Sequence, residues 1–176
     1  MRFENDDTDD LEPDEPERPE EIERRPDRGE VSSTEVKVVG LFEEGEHNYF
    51  VLLRDHRDRQ LPILIGPFET QAILLGLKGL QSGERPTPRP MTHDLLKSVI
   101  EHLGARVERL TIDDLWQETY YARLSLAVGD RLVEVDTRPS DGIALALRAG
   151  APIFVSETVW EETQRGDDNE NRPPLE

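Results

Sequence analysis

Chemistry in this chain must come from carboxylates, histidine, serine or threonine, or arginine, because the sequence contains no cysteine. Without a thiol, cysteine nucleophiles, zinc ribbons and disulfide frameworks are excluded. Carboxylates and imidazoles remain, and they can provide general acid–base catalysis or hold a divalent cation through oxygen ligands. The catalytic candidates lie in two polar runs and are His93, Asp94, Asp136 and Asp141.

The same polar runs could also bind an anion and a cation. An arginine guanidinium binds phosphate oxygens through two parallel hydrogen bonds. We expect phosphate contacts from Arg89, Arg138 and Ser140. Oxygen ligands favour Mg²⁺ or Mn²⁺ over zinc, and the expected ligands of such an ion are Glu69 and Asp136.

Each of these residues also has a structural interpretation. Asp94 and Asp141 come just after predicted helix starts, where acids meet free backbone amides, so helix capping explains both without catalysis. His93 could be a polar contact in the first turn of its helix. Arg138 could pair with Glu69 or with the acid two residues before it. From the sequence alone, both interpretations stay open.

The elements that must position these residues follow a strand-strand-strand-helix order. Alternating apolar residues predict three strands, near residues 36–41, 49–53 and 61–65. Pro67 is suited to the first turn of a helix that runs to about Leu77. A loop rich in glycine and proline follows at residues 79–90.

The second half repeats this order. Thr92 is expected to cap a second helix that ends at Gly104. Three further strands are predicted near residues 105–112, 119–128 and 132–136. Pro139 then begins a third helix that ends at Gly150, and a short apolar strand at residues 153–155 comes last.

This order predicts an α+β fold made of two halves, each a β-meander followed by a helix. Together the halves should form one curved or barrel-like sheet, mixed or antiparallel, with about three packed helices. A shift of 72 residues places Pro67 on Pro139 and Glu69 on Asp141. Either the halves are a true repeat, with two acids at equivalent helix starts, or the alternation common to strands produces the likeness.

The formal net charge of −18 lies mostly at the two ends of the chain. Residues 1–30 hold 14 acidic and 5 basic residues, residues 161–176 hold 6 and 2, and residues 31–160 hold 19 and 14. The ends have too few apolar residues to bury a core, so we predict disordered acidic tails around one domain at 31–160. The acidic start, and the lack of an apolar run of ~20 residues, predict a cytoplasmic protein without a membrane span.

Three segments of the chain carry a likeness to a known family. They lie at 61–69, 89–96 and 135–148 and read LPILIGPFE, RPMTHDLL and VDTRPSDGIALALR. In content, order and spacing they resemble the bifunctional nuclease domain family. The resemblance implies hydrolysis of phosphodiester bonds in DNA and RNA, whereas the roles given above to single residues follow from their chemistry. The alternative is a non-catalytic regulatory or assembly module that binds a protein partner or a small anionic ligand.

The expected partners are nucleic acid and a second copy of the chain. The sequence has no lysine-rich stripe with interleaved aromatic residues, so binding to nucleic acid should be weak or local. The apolar strand at 153–155, followed by Val159 and Trp160, is predicted to be an exposed sheet edge. Because such an edge needs a cover, we expect a homodimer.

Overall fold

The described part of the chain consists of seven strands and four helices. The computed structural model describes residues 32–45, 48–84 and 87–170, and for 165–170 it describes the backbone only. In chain order the elements are β1 (Ser33–Glu44), β2 (Asn48–Asp55), β3 (Gln60–Ile65), α1 (Pro67–Ser82), α2 (Thr92–His102), β4 (Ala105–Trp116), β5 (Thr119–Val128), β6 (Arg131–Thr137), α3 (Pro139–Ala149), β7 (Ile153–Ser156) and α4 (Glu157–Glu170). The predicted disorder of residues 1–30 lies outside the described residues. Within the described ranges, none of the helices combines the length and apolar character needed to cross a bilayer.

All seven strands form one curved, open sheet in the order β3-β2-β1-β7-β4-β5-β6. Strands β1 to β3 make one antiparallel meander, and β4 to β6 make the other. Strand β7 joins them, because it pairs antiparallel with β1 and parallel with β4. The predicted α+β fold with two meander halves is confirmed, and the sheet does not close into a barrel.

The two meanders are built alike but differ in register. Val51 pairs with Ile63 in the first meander. At the positions 72 residues further on, Arg123 pairs with Asp136 and not with Val135. The halves therefore share their order of elements, whereas the pairing of their second and third strands is shifted by one residue.

Strand β7 lies in the middle of the sheet, so its prediction as an exposed edge is wrong. Ile153 and Val155 are buried between the two meanders, and Val159 and Trp160 belong to the same core. A short apolar strand suits an edge and a centre equally well, and only its long-range pairing with β1 and β4 decides between them. Because β7 is not an edge strand, it gives no reason for a second copy to cover it, and the homodimer itself stays a prediction.

Helix α4 is a fourth helix where about three were predicted, and it runs through residues 161–170, beyond the expected end of the domain. The Ser156 hydroxyl accepts a hydrogen bond from the backbone N–H of Val159 at 3.3 Å, as a serine N-cap does. Two apolar side chains in its first turn, those of Val159 and Trp160, are buried. These contacts hold an otherwise polar helix against the sheet.

Helix α3 is the most buried of the described helices and lies deepest in the helical layer, against the sheet. It packs between α1 and α2 and against strands β4 and β5. Gly142 allows this close approach, because a Cβ there would collide with the buried side chain of Leu110 and lie 3.2 Å from Thr137 Cγ2. The N-terminal ends of α1 and α2 are thereby placed beside the N-terminal end of α3.

Candidate active site between three helix starts

A cleft of about 270 Å³ lies between α1 and α2, with the start of α3 at its base. Its chemically active lining residues are Glu69, His93, Arg138, Asp141 and Arg148. Both α1 and α3 have proline in their first turn, where its fixed φ suits a helix and its missing N–H costs nothing. An acid follows two residues later in each helix, so Glu69 and Asp141 reach the same cleft.

His93 and Asp141 form the central contact of the cleft. Nε2 of His93, in the first turn of α2, lies 3.2 Å from Oδ1 of Asp141 in the first turn of α3. Because an ionised carboxylate can only accept, Nε2 carries the proton and donates it to this bond. Among the described residues no partner for Nδ1 of His93 is present, which leaves that nitrogen for a ligand.

Arg138 joins this pair to α1. Its Nε donates to Oδ2 of Asp141 at 2.7 Å, and its Nη1 lies 3.1 Å from Oε1 of Glu69. The hydrogen bond with Asp141 raises the pKa of Arg138. Burial tends to raise the pKa of Asp141, but the hydrogen bonds from Arg138 and His93 outweigh burial and lower it. The carboxylate is therefore ionised at neutral pH, while 66% of the Arg138 side chain stays exposed to solvent.

Arg148 ties the three helices together and was not among the residues predicted for the site. Its Nε donates to Oδ1 of Asp94 at 2.6 Å, and its Nη1 donates to the carbonyls of Ala72 at 2.9 Å and Ala144 at 2.7 Å. The sequence signal for this contact is Gly76, because a glycine inside a helix often marks a close approach by another group. In the structure a Cβ at Gly76 would lie 3.0 Å from Nη1 of Arg148. Only 7% of the Arg148 side chain is exposed, so the residue acts as a buried clamp.

Asp94 supports the start of α2. Its Oδ2 accepts a hydrogen bond from the backbone N–H of Met91 at 2.8 Å, while its Oδ1 holds Arg148. The N-cap of α2 is Met91, so the prediction that Thr92 caps this helix is wrong. Asp94 therefore fixes the helix turn that carries His93, and the structural interpretation accounts for both of these contacts.

Besides Asp94, three predicted site residues do not line the cleft. Arg89 is exposed in the segment before α2, and Asp136 is exposed on the edge strand β6, opposite Arg123. Ser140, in the first turn of α3, is buried, with 8% of its surface exposed. Their expected roles in phosphate binding, catalysis and metal binding stay predictions.

Among the described residues, no group of three or more acids and histidines is close enough to hold a metal ion by itself. Glu69 and Asp141 contact opposite ends of the Arg138 guanidinium. In this arrangement a cation already lies between the two carboxylates. The described side chains do not by themselves form a complete site for Mg²⁺ or Mn²⁺.

A larger groove of about 770 Å³ lies over β1 and β2. Its charges are mixed: Lys37 and Arg54 stand beside Glu35 and Asp58, and Arg54 lies 3.8 Å from Asp58. We place the candidate active site in the smaller cleft, because there an imidazole held by a carboxylate stands beside an exposed guanidinium.

The chain is similar to proteins from bacteria and plants. An uncharacterized protein of Mycobacterium tuberculosis is 43% identical over 127 residues, which cover 71% of this chain and 73% of that protein. Bifunctional nuclease 1 of Oryza sativa subsp. indica is 29% identical over 127 residues, which cover 70% of this chain and 37% of that protein. Bifunctional nuclease 2 of Arabidopsis thaliana is 29% identical over 115 residues, which cover 63% of this chain and 33% of that protein. The matched region is thus about a third of either plant protein.

A family model described as the bifunctional nuclease domain matches residues 51–167. This range contains the three segments at 61–69, 89–96 and 135–148, all the residues that line the cleft, and the start of α4. The chain therefore belongs to the bifunctional nuclease domain family.

Proposed function

We propose that this chain hydrolyses phosphodiester bonds in DNA and RNA, with the cleft between α1 and α2 as its active site. The single observation that carries the proposal is the contact of His93 with Asp141 beside the exposed Arg138. The plant relatives that carry the name bifunctional nuclease support the reaction class. Their matched regions are parts of longer proteins, so the activity of this chain needs its own measurement.

In the proposed reaction His93 is the general base. The Asp141 carboxylate holds the Nε2–H tautomer and stabilises the imidazolium that forms. Nδ1 takes a proton from a water molecule as the water oxygen attacks phosphorus. The bond from phosphorus to the leaving oxygen then breaks, that oxygen takes a proton from a solvent water molecule, and the His93 imidazolium returns its Nδ1 proton to solvent. A water nucleophile suits both DNA and RNA, since it requires no 2′-hydroxyl.

Arg138 is the proposed phosphate ligand. Its guanidinium carries a permanent charge, and its exposed side chain can turn toward a substrate oxygen. The free N–H groups at the start of α3 add a favourable dipole for an anion. Phosphate must compete with Glu69 for Nη1 of Arg138, which agrees with the expected weak or local binding of nucleic acid.

The proposal is tested by assaying plasmid DNA and single-stranded RNA with tag-free protein in Mg²⁺, in Mn²⁺ and in EDTA. His93→Ala should lower kcat by a factor of about 10²–10⁴, the usual contribution of a general acid or base. The matched control is His102→Ala, at the exposed end of the same helix, and it should cleave like wild type. Thermal melting must show that both variants remain folded.

The cation dependence of the assay decides the role of Glu69. If Glu69 is only the partner of Arg138, Glu69→Gln should cleave at least as fast as wild type, because a competing negative charge is removed. If Glu69 is a ligand of Mg²⁺ or Mn²⁺, the same variant should lose activity and EDTA should abolish cleavage by wild type. Asp136→Asn tests in the same way whether Asp136, on β6, is a ligand of Mg²⁺ or Mn²⁺: loss of activity would support that role.

A non-catalytic regulatory or assembly module is the second candidate. Three carboxylates and two guanidinium groups meet in and below the cleft, namely Glu69, Asp94, Asp141, Arg138 and Arg148. With a neutral imidazole the site thus carries one net negative charge, which disfavours tight binding of a polyanion. If wild type cleaves neither substrate in any buffer, or if His93→Ala cleaves like wild type, this second candidate replaces the first.

The predicted homodimer is part of this proposal. Its support is now the exposed apolar surface formed by Leu95, Leu96 and Val99 of α2 and by Leu103, which follows the last residue of that helix. Light scattering at micromolar concentration should give twice the mass of the chain, and a monomer mass would count against the dimer.

A further inference from the structure

Phe68 is the most exposed large apolar side chain among the described residues, with 82% of its surface accessible. It lies in the first turn of α1, next to Glu69, and lines the same cleft as His93 and Arg138. Leaving an aromatic ring in water forgoes the stabilisation that its burial would provide. An exposed ring beside an anion site therefore suggests a ligand that has both a flat apolar part and a phosphate.

The wall of the cleft around Phe68 has the character of a base-binding surface. Phe68, Gln71, Ala72 and Leu75 all line it and follow the spacing of one face of a helix. Met91, at the start of α2, faces the same cleft and is 43% exposed. This surface offers an aromatic face and aliphatic contacts, with one amide, Gln71, that can bond to the edge of a base.

We propose that Phe68 is a stacking platform for one nucleobase, next to the phosphate that Arg138 binds, and that the cleft therefore prefers single-stranded nucleic acid. This inference rests on the proposed function, since it names the substrate class of the same site. Bases in a duplex are stacked on their neighbours, whereas an unpaired base can present its face to an aromatic ring. Stacking is tolerant of sequence, so one ring serves DNA and RNA alike.

The dimensions and charges of the cleft support the same substrate class. Its volume of about 270 Å³ lies just below the roughly 300–1,000 Å³ usual for small-molecule pockets, so it suits a single nucleotide unit. Arg138 supplies one exposed positive charge, and stacking supplies binding energy that does not depend on further cations. A flexible single strand can bring both groups into the cleft at once.

The test is a binding titration of the full chain with fluorescein-labelled oligonucleotides, single-stranded and duplex, of one mixed sequence. The chain carries His93→Ala, so that the oligonucleotide survives the measurement. Adding Phe68→Ala should weaken single-strand binding by roughly 5- to 100-fold, the usual loss for one stacked base. Duplex binding should change by less than about twofold. Phe68→Trp should restore the affinity, because a larger ring stacks at least as well.

The matched control is Phe42→Ala, since Phe42 is another exposed phenylalanine, 52% accessible, on β1 and outside the cleft. It should leave the affinity unchanged. The inference is overturned if the chain does not bind the single strand, or if Phe68→Ala behaves like Phe42→Ala. It is also overturned if Phe68→Ala alone converts a dimer to a monomer in light scattering, because the ring would then contact a second copy.

Cleavage assays on the chain without His93→Ala separate this inference from the proposed function. If wild type cleaves but Phe68→Ala binds the single strand as well as its parent, hydrolysis stands and the stacking platform does not. If wild type fails to cleave and Phe68→Ala still loses single-strand affinity, the stacking platform stands without hydrolysis.

Discussion

Two arginines of this chain each bridge two carboxylates, and their surroundings differ. Arg59 donates from Nε to Asp55 at 2.7 Å and from Nη1 to Glu157 at 2.8 Å. Arg138 makes the same kind of bridge between Asp141 and Glu69, at 2.7 and 3.1 Å. The side chain of Arg59 is 20% exposed and that of Arg138 is 66% exposed.

The partners of Arg59 leave it little freedom to bind anything else. The ring of Trp160 lies 4.5 Å from its guanidinium carbon, close enough for a cation–π contact. Hydrogen bonds from Arg59 and Thr34 lower the pKa of Glu157 to about 2. An arginine between two acids is therefore a structural clasp when it is covered, and an available anion ligand when it faces an open cleft.

The largest expected effect is on folding, through loss of the covered clasp. Arg59→Ala leaves Asp55 buried without its guanidinium and removes the link from the β2–β3 turn to α4, so the free energy of unfolding should fall by about 3 kcal/mol. Urea denaturation measures this loss. The matched control Arg57→Ala changes an exposed residue of the same turn and should cost less than about 0.5 kcal/mol. Equal losses for the two variants would show that the clasp is not special.

A smaller effect, dependent on pH, should follow from Glu157→Gln. The folded-state pKa of Glu157 is about 2, below the usual 4.5, so its contribution is fully present above pH 4.5 and is lost as the pH falls toward 2. At pH 7 the variant should be less stable by about 2 kcal/mol, a value that allows for partial exposure. Denaturant unfolding at pH 7, 4 and 3 should show the difference between wild type and variant shrinking. A difference that is constant with pH would contradict the assigned cause.

The smallest effect on folding is expected at the open cleft. Arg138→Ala should change the free energy of unfolding by less than about 1 kcal/mol, because exposed ion pairs contribute little. Its kcat/KM for cleavage should nevertheless fall about 100-fold, as when one donor to a charged transition state is removed. Arg131→Ala, an exposed arginine at the start of β6, is the control and should leave both quantities unchanged. A large loss of stability with normal cleavage would show that Arg138 has a structural role like that of Arg59 and is not a phosphate ligand.

The sequence by itself determined the elements whose signals are local. Alternation placed both meanders, and Pro67 and Pro139 marked the starts of α1 and α3. Gly150 stops α3 in the left-handed conformation with φ 65°, which a glycine adopts without strain. The acid two residues after each proline, Glu69 and Asp141, was selected as a site candidate from its place at a helix start. These signals are readable because each depends on the backbone of only a few neighbouring residues.

The tertiary structure alone decided which of the predicted residues meet. Arg138 pairs with both Asp141 and Glu69, because the turn into α3 brings its side chain to the cleft between the helix starts. Arg148 reaches the carbonyl of Ala72, 76 residues away in sequence. The central position of β7 likewise depends on pairing with two distant strands. Such contacts depend on how elements pack, and no pattern within one element contains that information.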